Sequence, residues 1–256
     1  MVFAPEWAQY SPGVVNQQVT MKQTMKNFRA HAKALDLFRF ASVSTLPLQE
    51  DMQKSHSVTP WFIPNAVHLN WRAESEPDTA SRPPLLTYFP GTRSHDRDFA
   101  MIKVPLAAYM ADHPEVRLEI TGELADDSIL QEFNPAQLER HPKQTFANYR
   151  NHVARSTVNL APLETTQFNQ RKSALKAIEA SFFNTPTLAT PIPDMQRLTD
   201  AGAILIGDNP DDWYNAIKEN MQAPDTHQHL RESILKHADA HRIAAQLIKQ
   251  LGAAGL

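Results

Sequence analysis

Residues 157–190 read TVNLAPLETTQFNQRKSALKAIEASFFNTPTLAT, and their pattern decides the fold class. Thr157–Leu160 is a short strand-like run. Residues 171–183 then carry Leu175, Ile178 and Phe182 at helical spacing, and Thr187–Ala189 is extended again. Strand, helix and strand in such close succession make a parallel pair with a covering helix. The alternation continues in both directions. Upstream, Leu85–Phe89 is a short apolar run, Asp98 to Ala111 has helical period, Val116–Thr121 alternates and ends at Gly122, and 145–155 reads as helix. Downstream, Ala203–Ile206 is extended, and Pro210–Met221 sets Trp213, Ile217 and Met221 on one helical face. The expected fold is α/β: a doubly wound parallel sheet with helices on both faces, closed by one long C-terminal helix from about Thr226 to Leu251.

The first third of the chain is different. From about Asn16 to Asp36, Met21, Met25, Phe28, Ala32 and Leu35 recur on one helical stripe. Phe38–Ser44 is β-rich, Thr45 and Pro47 mark a helix start, and Val58–Ile63 is extended until Pro64 stops it. Two strands are too few for an independent domain. Residues 73–84, AESEPDTASRPP, are polar and proline-rich and read as a linker. The expected organisation is a partial first unit over 1–72, the linker 73–84, the main domain 85–225 and the C-terminal helix 226–256.

Composition narrows the function classes. A net charge of −3 over 256 residues does not suit a dedicated nucleic-acid binder. The chain has no cysteine, which excludes disulfides and thiolate zinc sites. No apolar run approaches the ~18 residues a membrane span needs, and the start of the chain lacks a basic signal-peptide region. A cytoplasmic protein is expected.

In a doubly wound sheet, ligands bind beyond the carboxyl ends of the strands. The first such loop runs Pro90-Gly91-Thr92-Arg93-Ser94-His95-Asp96-Arg97. Gly91 permits close backbone approach, Thr92 and Ser94 offer hydroxyls, and Arg93 offers a planar fork suited to phosphate. An ordinary polar turn before a helix would read the same way. The second place is the run Phe168–Ala180. Lys172, Lys176 and Glu179 there fall at i, i+4 and i+7, off the buried stripe. Arg171, Lys172 and Lys176 crowd a helix start, where cations are disfavoured by about 0.3–1 kcal/mol each. That placement favours an anion site over a solvated basic face. His95 and Glu164 are weaker candidates. His227, His229, His237 and His241 have no acid spaced to complete a metal motif, and no metal is expected.

The runs TYFPGTRSHDRDF (87–99), HPEVRLEITGEL (113–124) and NLAPLETTQFNQRKSALKAIEASFFNTPTLATP (159–191) resemble bacterial glycosyltransferases of the GT-B superfamily. The likeness is to the retaining, family-4-like enzymes that build cell-surface polysaccharides. FASVSTLPLQEDM and WFIPNAV resemble the segments that close the acceptor domain before its linker. The resemblance implies that 85–225 is the Rossmann-like nucleotide-sugar-binding half and that 1–72 is a remnant of the acceptor half. It implies transfer of a sugar from a nucleotide diphosphate sugar to a glycan acceptor, without metal or cofactor, in the cytoplasm or peripherally at the inner membrane. Gly91, Thr92, Ser94 and His95 would face the diphosphate with Lys172 and Ser173, and Glu179 would hold the ribose. Asn169 and Lys176 belong to the same donor-binding set, and Arg93 and Lys172 would stabilise charge on the departing phosphate. A second glutamate is expected eight residues before Glu179. Arg171 stands there, so Glu164 is the candidate replacement. Because the acceptor half is short, a missing domain or partner chain is expected. Two other readings are a silent nucleotide-sugar-binding or scaffold subunit and a nucleotide-sugar epimerase.

Overall fold

A computed structural model describes residues 4–73, 82–91 and 95–255. The main unit is a six-stranded, all-parallel sheet. Its strands are β3 (Leu85–Tyr88), β4 (Arg117–Thr121), β5 (Leu138–His141), β6 (Val158–Ala161), β7 (Thr187–Ala189) and β8 (Ala203–Leu205). They lie in the order β5-β4-β3-β6-β7-β8. Before them, β1 (Phe40–Val43) and β2 (Thr59–Phe62) form a separate two-stranded parallel sheet.

The helices are α1 (Pro12–Val15), α2 (Met21–Leu35), α3 (Leu46–Ser55), α4 (Asp96–Ala100), α5 (Lys103–Asp112) and α6 (Phe146–Ala154). After them come α7 (Leu175–Phe182), α8 (Pro193–Gln196), α9 (Pro210–Gln222), α10 (Leu230–Ala238) and α11 (Ala240–Ala253). Side-chain oxygens fix several starts: Thr45 accepts from the N–H of Leu48, Thr145 from Asn148, and Asp239 from Arg242.

Successive residues of a strand point to opposite faces, and the two cores obey this. Leu160 and Leu188 pack with Leu86, Phe99, Leu106, Trp213 and Ile217, beneath α4, α5 and α9. Their neighbours Ala161 and Ala189 pack with Val153, Ile178, Phe182 and Ile234, beneath α6, α7 and α10. Burying Ile178 and Phe182 stabilises α7 by roughly 1.5–3 kcal/mol per side chain. The doubly wound sheet is therefore present, with a core on each face.

Four details differ from expectation. The helix expected over 98–111 is α4 and α5, interrupted at Met101 and Ile102. Strand β5 adds an edge that the sequence pattern does not announce. The helix expected over 171–183 starts only at Leu175, because the N–H of Ala174 is taken by Asp194 Oδ2 at 2.7 Å. The single C-terminal helix is two helices: Asp239 is extended and caps α11. Val67 and Trp71, inside the segment 1–72, pack into the main unit's core, and the N–H of Val67 donates to Ala238 O at 2.9 Å. Most of the expected linker lies outside the described residues. At its far end, Arg82 donates to Ser156 O (2.7 Å) and Thr185 Oγ1 (2.8 Å) and ties the chain beneath β3.

Candidate functional site

Strand order fixes where a ligand belongs. From β3 the chain winds outward to β4 and β5, then returns to the opposite side of β3 as β6. The crevice beyond the carboxyl ends of β3 and β6 lies at this reversal. The loop Phe89–His95 leaves β3 there, and the segment 162–174 leaves β6. The β3 and β4 loops nearly touch. Gly91 has φ +74° and Gly122 has φ +135°, and a Cβ on Gly122 would lie 3.0 Å from the Gly91 nitrogen.

Asp98, in α4, organises the crevice floor. Its buried carboxylate takes a hydrogen bond from His95 Nδ1 (2.7 Å) and one from the Glu164 N–H (2.8 Å), and meets Asn169 Nδ2 at 3.4 Å. Burial pushes this carboxyl up, but the His95 hydrogen bond, the Lys172 charge and the Glu164 N–H outweigh it and hold it low. Lys172 Nζ lies 4.0 Å from Asp98 Oδ2 and is buried without a hydrogen-bond partner. Burial lowers its pKa against the pull of Asp98 and Glu164. Lys176, in the first turn of α7, has its amine 5.3 Å from the centroid of the Tyr88 ring. Burial, then the Lys172 charge, bring its pKa down to about 8.

Two neighbouring cavities share Leu175 and Lys176. The smaller, about 250 Å³, is lined by His95, Lys172, Ser173, Lys176, Leu163 and Met195 among others. The larger, about 450 Å³, is within the usual range for small-molecule sites. Phe89, Phe146 and Tyr149 give it aromatic walls, and Gly91, Thr121, Gly122, Lys143, Gln144 and Glu179 its polar rim. Glu179 is buried there and accepts from the Tyr149 hydroxyl at 2.9 Å. Burial raises its pKa to about 7, against the Tyr149 hydrogen bond and the Lys176 charge. One cavity is thus cationic; the other offers flat apolar walls and a carboxylate.

No family model and no curated protein sequence matches the chain. Solved structures do. TarM of S. aureus, with fondaparinux, alpha-GlcNAc-glycerol and UDP, superposes at TM-score 0.68 and 13% identity over 88% of this chain and 46% of that one. Anabaena HepE in complex with UDP-glucose superposes at 0.71 and 12% over 99% and 70%. Sucrose-phosphate synthase of Thermosynechococcus elongatus superposes at 0.65 and 19% over 95% and 67%. The chain shares the fold of these structures, which are GT-B glycosyltransferases. It spans about half the length of TarM.

Within this GT-B frame the expected residues fall into groups. His95, Lys172, Ser173 and Lys176 meet at the smaller cavity, and Gly91 and Glu179 at the larger. Thr92, Arg93 and Ser94 lie outside the described residues. Asn169 lines neither cavity; its Nδ2 bonds Glu164 O (2.9 Å) and reaches toward Asp98, which holds the 162–174 segment in shape.

Two expectations are corrected. Lys172 does not share a helical face with Lys176 and Glu179, because it is extended and precedes α7. At the helix start the Asp194 carboxylate takes the Ala174 N–H, so that one donor is engaged within the chain. Glu164 does not turn into the cavities as the replacement carboxylate. Arg97 takes it at 2.8 Å. Arg171 also turns away, pairing with Asp51 and lying 4.0 Å from the Trp7 ring centroid.

The sequence reading missed the aromatic wall. Phe146 and Tyr149 open α6, whose spacing marks a helix but not which face meets Glu179. It also missed Glu119, His141 and His152, the trio that β4, β5 and α6 bring together. Of the C-terminal histidines, His237 pairs with Asp200 at 3.0 Å, outside both cavities. No helix among the described residues is long and apolar enough to cross a membrane.

Proposed function

We propose that this chain forms the nucleotide-sugar side of a glycosyl-transfer site. The observation that carries the reading is the Lys172 amine. It is buried, has no hydrogen-bond partner, and faces a cavity shared with Lys176. Among the described residues its only counter-charge within ion-pair reach is Asp98, 4.0 Å away, and a buried ammonium without a hydrogen bond is costly unless a further anion completes it. A diphosphate bridging the cationic cavity to the aromatic one supplies that anion. The nucleoside then lies against Phe146 and Tyr149, with its ribose hydroxyls donating to Glu179. Ser173 and the Gly91–His95 loop hold the phosphates, and the hexose extends past His95.

Transfer of the sugar develops negative charge on the departing phosphate. Lys172, Lys176 and Arg93 stabilise it through fixed positive charge, with no metal at the phosphates. Loss of one such contact typically costs on the order of 10²–10³ in rate. The acceptor is a glycan, reached from the side of the β1–α3–β2 unit. The parent activity belongs to polysaccharide assembly in the cytoplasm or at the inner membrane face.

A second reading is favoured by length. The chain spans 46% of TarM, so a partner chain or further domain carries the rest of the acceptor wall. In that reading the chain binds nucleotide sugar and transfers nothing by itself. One neighbour of this fold is a complex, GtfA/B.

Calorimetric titration of the folded chain with UDP, GDP and their nucleosides tests both readings. Diphosphate binding tenfold or more tighter than nucleoside binding is expected. A flat titration with every common nucleoside diphosphate would overturn the proposal.

A further inference from the structure

The face of the sheet beneath α6 holds a second cluster. Glu119, in the middle of β4, has a fully buried side chain. His152 of α6 brings Nδ1 to 2.6 Å from Glu119 Oε1, and His141, at the end of β5, packs its ring 4.7 Å from the His152 ring. One ligand-type atom from each of the three residues lies within 4.8 Å of the others. The neighbourhood leaves this set incomplete. Glu119 Oε2 and His141 Nε2 are both buried without a hydrogen bond. Arg155 approaches Glu119 Oε2 only at 3.5 Å and gives its hydrogen bond to Glu139 at 2.7 Å. His141 Nε2 is 3.9 Å from that same Glu139.

We propose that Glu119, His141 and His152 form a three-ligand site for a zinc-class divalent cation. Two imidazoles and one carboxylate around an open fourth position are a zinc donor set, and imidazole disfavours magnesium and calcium. With zinc–nitrogen and zinc–oxygen distances of about 2.0–2.2 Å, ligand atoms stand roughly 3.4 Å apart. The Glu119–His152 contact, at 2.6 Å, is shorter than that, so binding opens this hydrogen bond. The Thr121 hydroxyl donates to Glu119 Oε1 at 2.7 Å and fixes the orientation of the carboxylate.

The site's place in the fold gives it a consequence. The ion would tie β4, β5 and α6 together where they enclose the larger cavity: Thr121 lines that cavity from β4, Phe146 and Tyr149 from α6. It would act on the shape of the aromatic wall and not at the phosphates, since none of the three ligands lines the Lys172 cavity.

Chelator-stripped full chain titrated with zinc alone tests this. One equivalent is expected to bind and raise the melting temperature. Cobalt in its place is expected to give the intense visible absorption of a four-coordinate ion. His141→Ala and His152→Ala, each checked for native circular dichroism, are expected to weaken binding at least a hundredfold. Glu119→Gln alters a fully buried strand position, so the two histidine variants decide the matter. Arg155→Met, which removes a competing cation, is expected to tighten binding several-fold. No stoichiometric binding by folded protein, or undiminished binding in both histidine variants, would overturn the proposal.

Discussion

The Tyr149 hydroxyl donates to Glu179 Oε2 at 2.9 Å, linking the α6 wall of the larger cavity to the carboxylate on α7. This contact occupies one of the places a ribose hydroxyl would take, and burial meanwhile holds the Glu179 pKa up at about 7. A diol donating to the carboxylate favours its charged form. Nucleoside affinity is therefore expected to rise as pH passes 7 and then level off. Diphosphate affinity is expected to be bell-shaped, because Lys176 discharges above about 8. Titrations at pH 6, 7.5 and 9 check this, and a diphosphate affinity that keeps rising to pH 9 would remove Lys176 from the phosphate contacts.

The same carboxyl sets a pH dependence of stability. A folded-state pKa near 7, raised from 4.5, means the folded chain holds this proton longer than the unfolded chain. Below about 4.5 both states are protonated; between 4.5 and 7 only the unfolded state gives the proton up. Glu179 thus withdraws stability as pH rises through that window, by something on the order of 3 kcal/mol, and adds no slope above it. Glu179→Gln keeps the neutral shape and is expected to flatten this part of the profile. Denaturant midpoints measured from pH 4.5 to 8 in both proteins make the comparison.

Lys172 separates ligand binding from folding. Its amine lacks a hydrogen-bond partner and lies 4.0 Å from Asp98, so Lys172→Met removes a buried charge while keeping the stem. Stability is expected to change by less than about 1 kcal/mol, since the loss of Asp98's neighbour offsets the relief of burial. Diphosphate affinity is expected to fall ten- to a hundredfold, the weight of one hydrogen bond to a charged group, about 1.5–3 kcal/mol. Uridine affinity should stay within about twofold. A large stability loss with unchanged diphosphate affinity would make Lys172 a structural residue.

Sequence alone carried the parallel sheet because β3, β6, β7 and β8 are short, mainly apolar runs between turn signals and β4 alternates up to Gly122. β5 was illegible: Leu138-Glu139-Arg140-His141 is a polar edge strand held by pairing to β4, with no apolar run to announce it. The start of α7 was misjudged because Leu175 and Ile178 continue a periodicity whose break is imposed by Asp194, twenty residues away. The break at Asp239 did have a local signature, a carboxylate three residues before the N–H it caps. It lay inside a continuous helical pattern and was overridden. Of the site, the cationic residues were legible from their types and order. What Glu164 and Arg171 contact was not, because Arg97 and Asp51 reach them from elsewhere in the chain.

Arg171 gives the last prediction, at the position where the GT-B resemblance leads one to expect a glutamate. Its guanidinium grips Asp51 of α3 through Nε (2.8 Å) and a terminal nitrogen (3.2 Å), donates to Gln167, and stacks over Trp7. Both charged side chains are largely buried, 16% and 17% exposed, so the pair is worth more than a surface ion pair. Arg171 thus fastens the β1–α3–β2 unit to the loop that carries Lys172, helped by Thr45 Oγ1 donating to Arg171 O at 3.1 Å. Arg171→Ala is expected to cost about 2–3 kcal/mol, because it leaves Asp51 buried without its partner. Arg171→Glu should cost more, since it sets a second carboxylate against Asp51 in place of the guanidinium. Neither variant touches the Glu179 cavity, so nucleoside affinity should hold within about twofold while stability falls. The double variant Asp51→Arg, Arg171→Glu should recover part of the loss, and chemical denaturation of all four proteins measures it. If Arg171→Glu proves as stable as the parent and binds nucleotide sugar more tightly, the position is a donor contact after all and the anchoring role assigned to it is wrong.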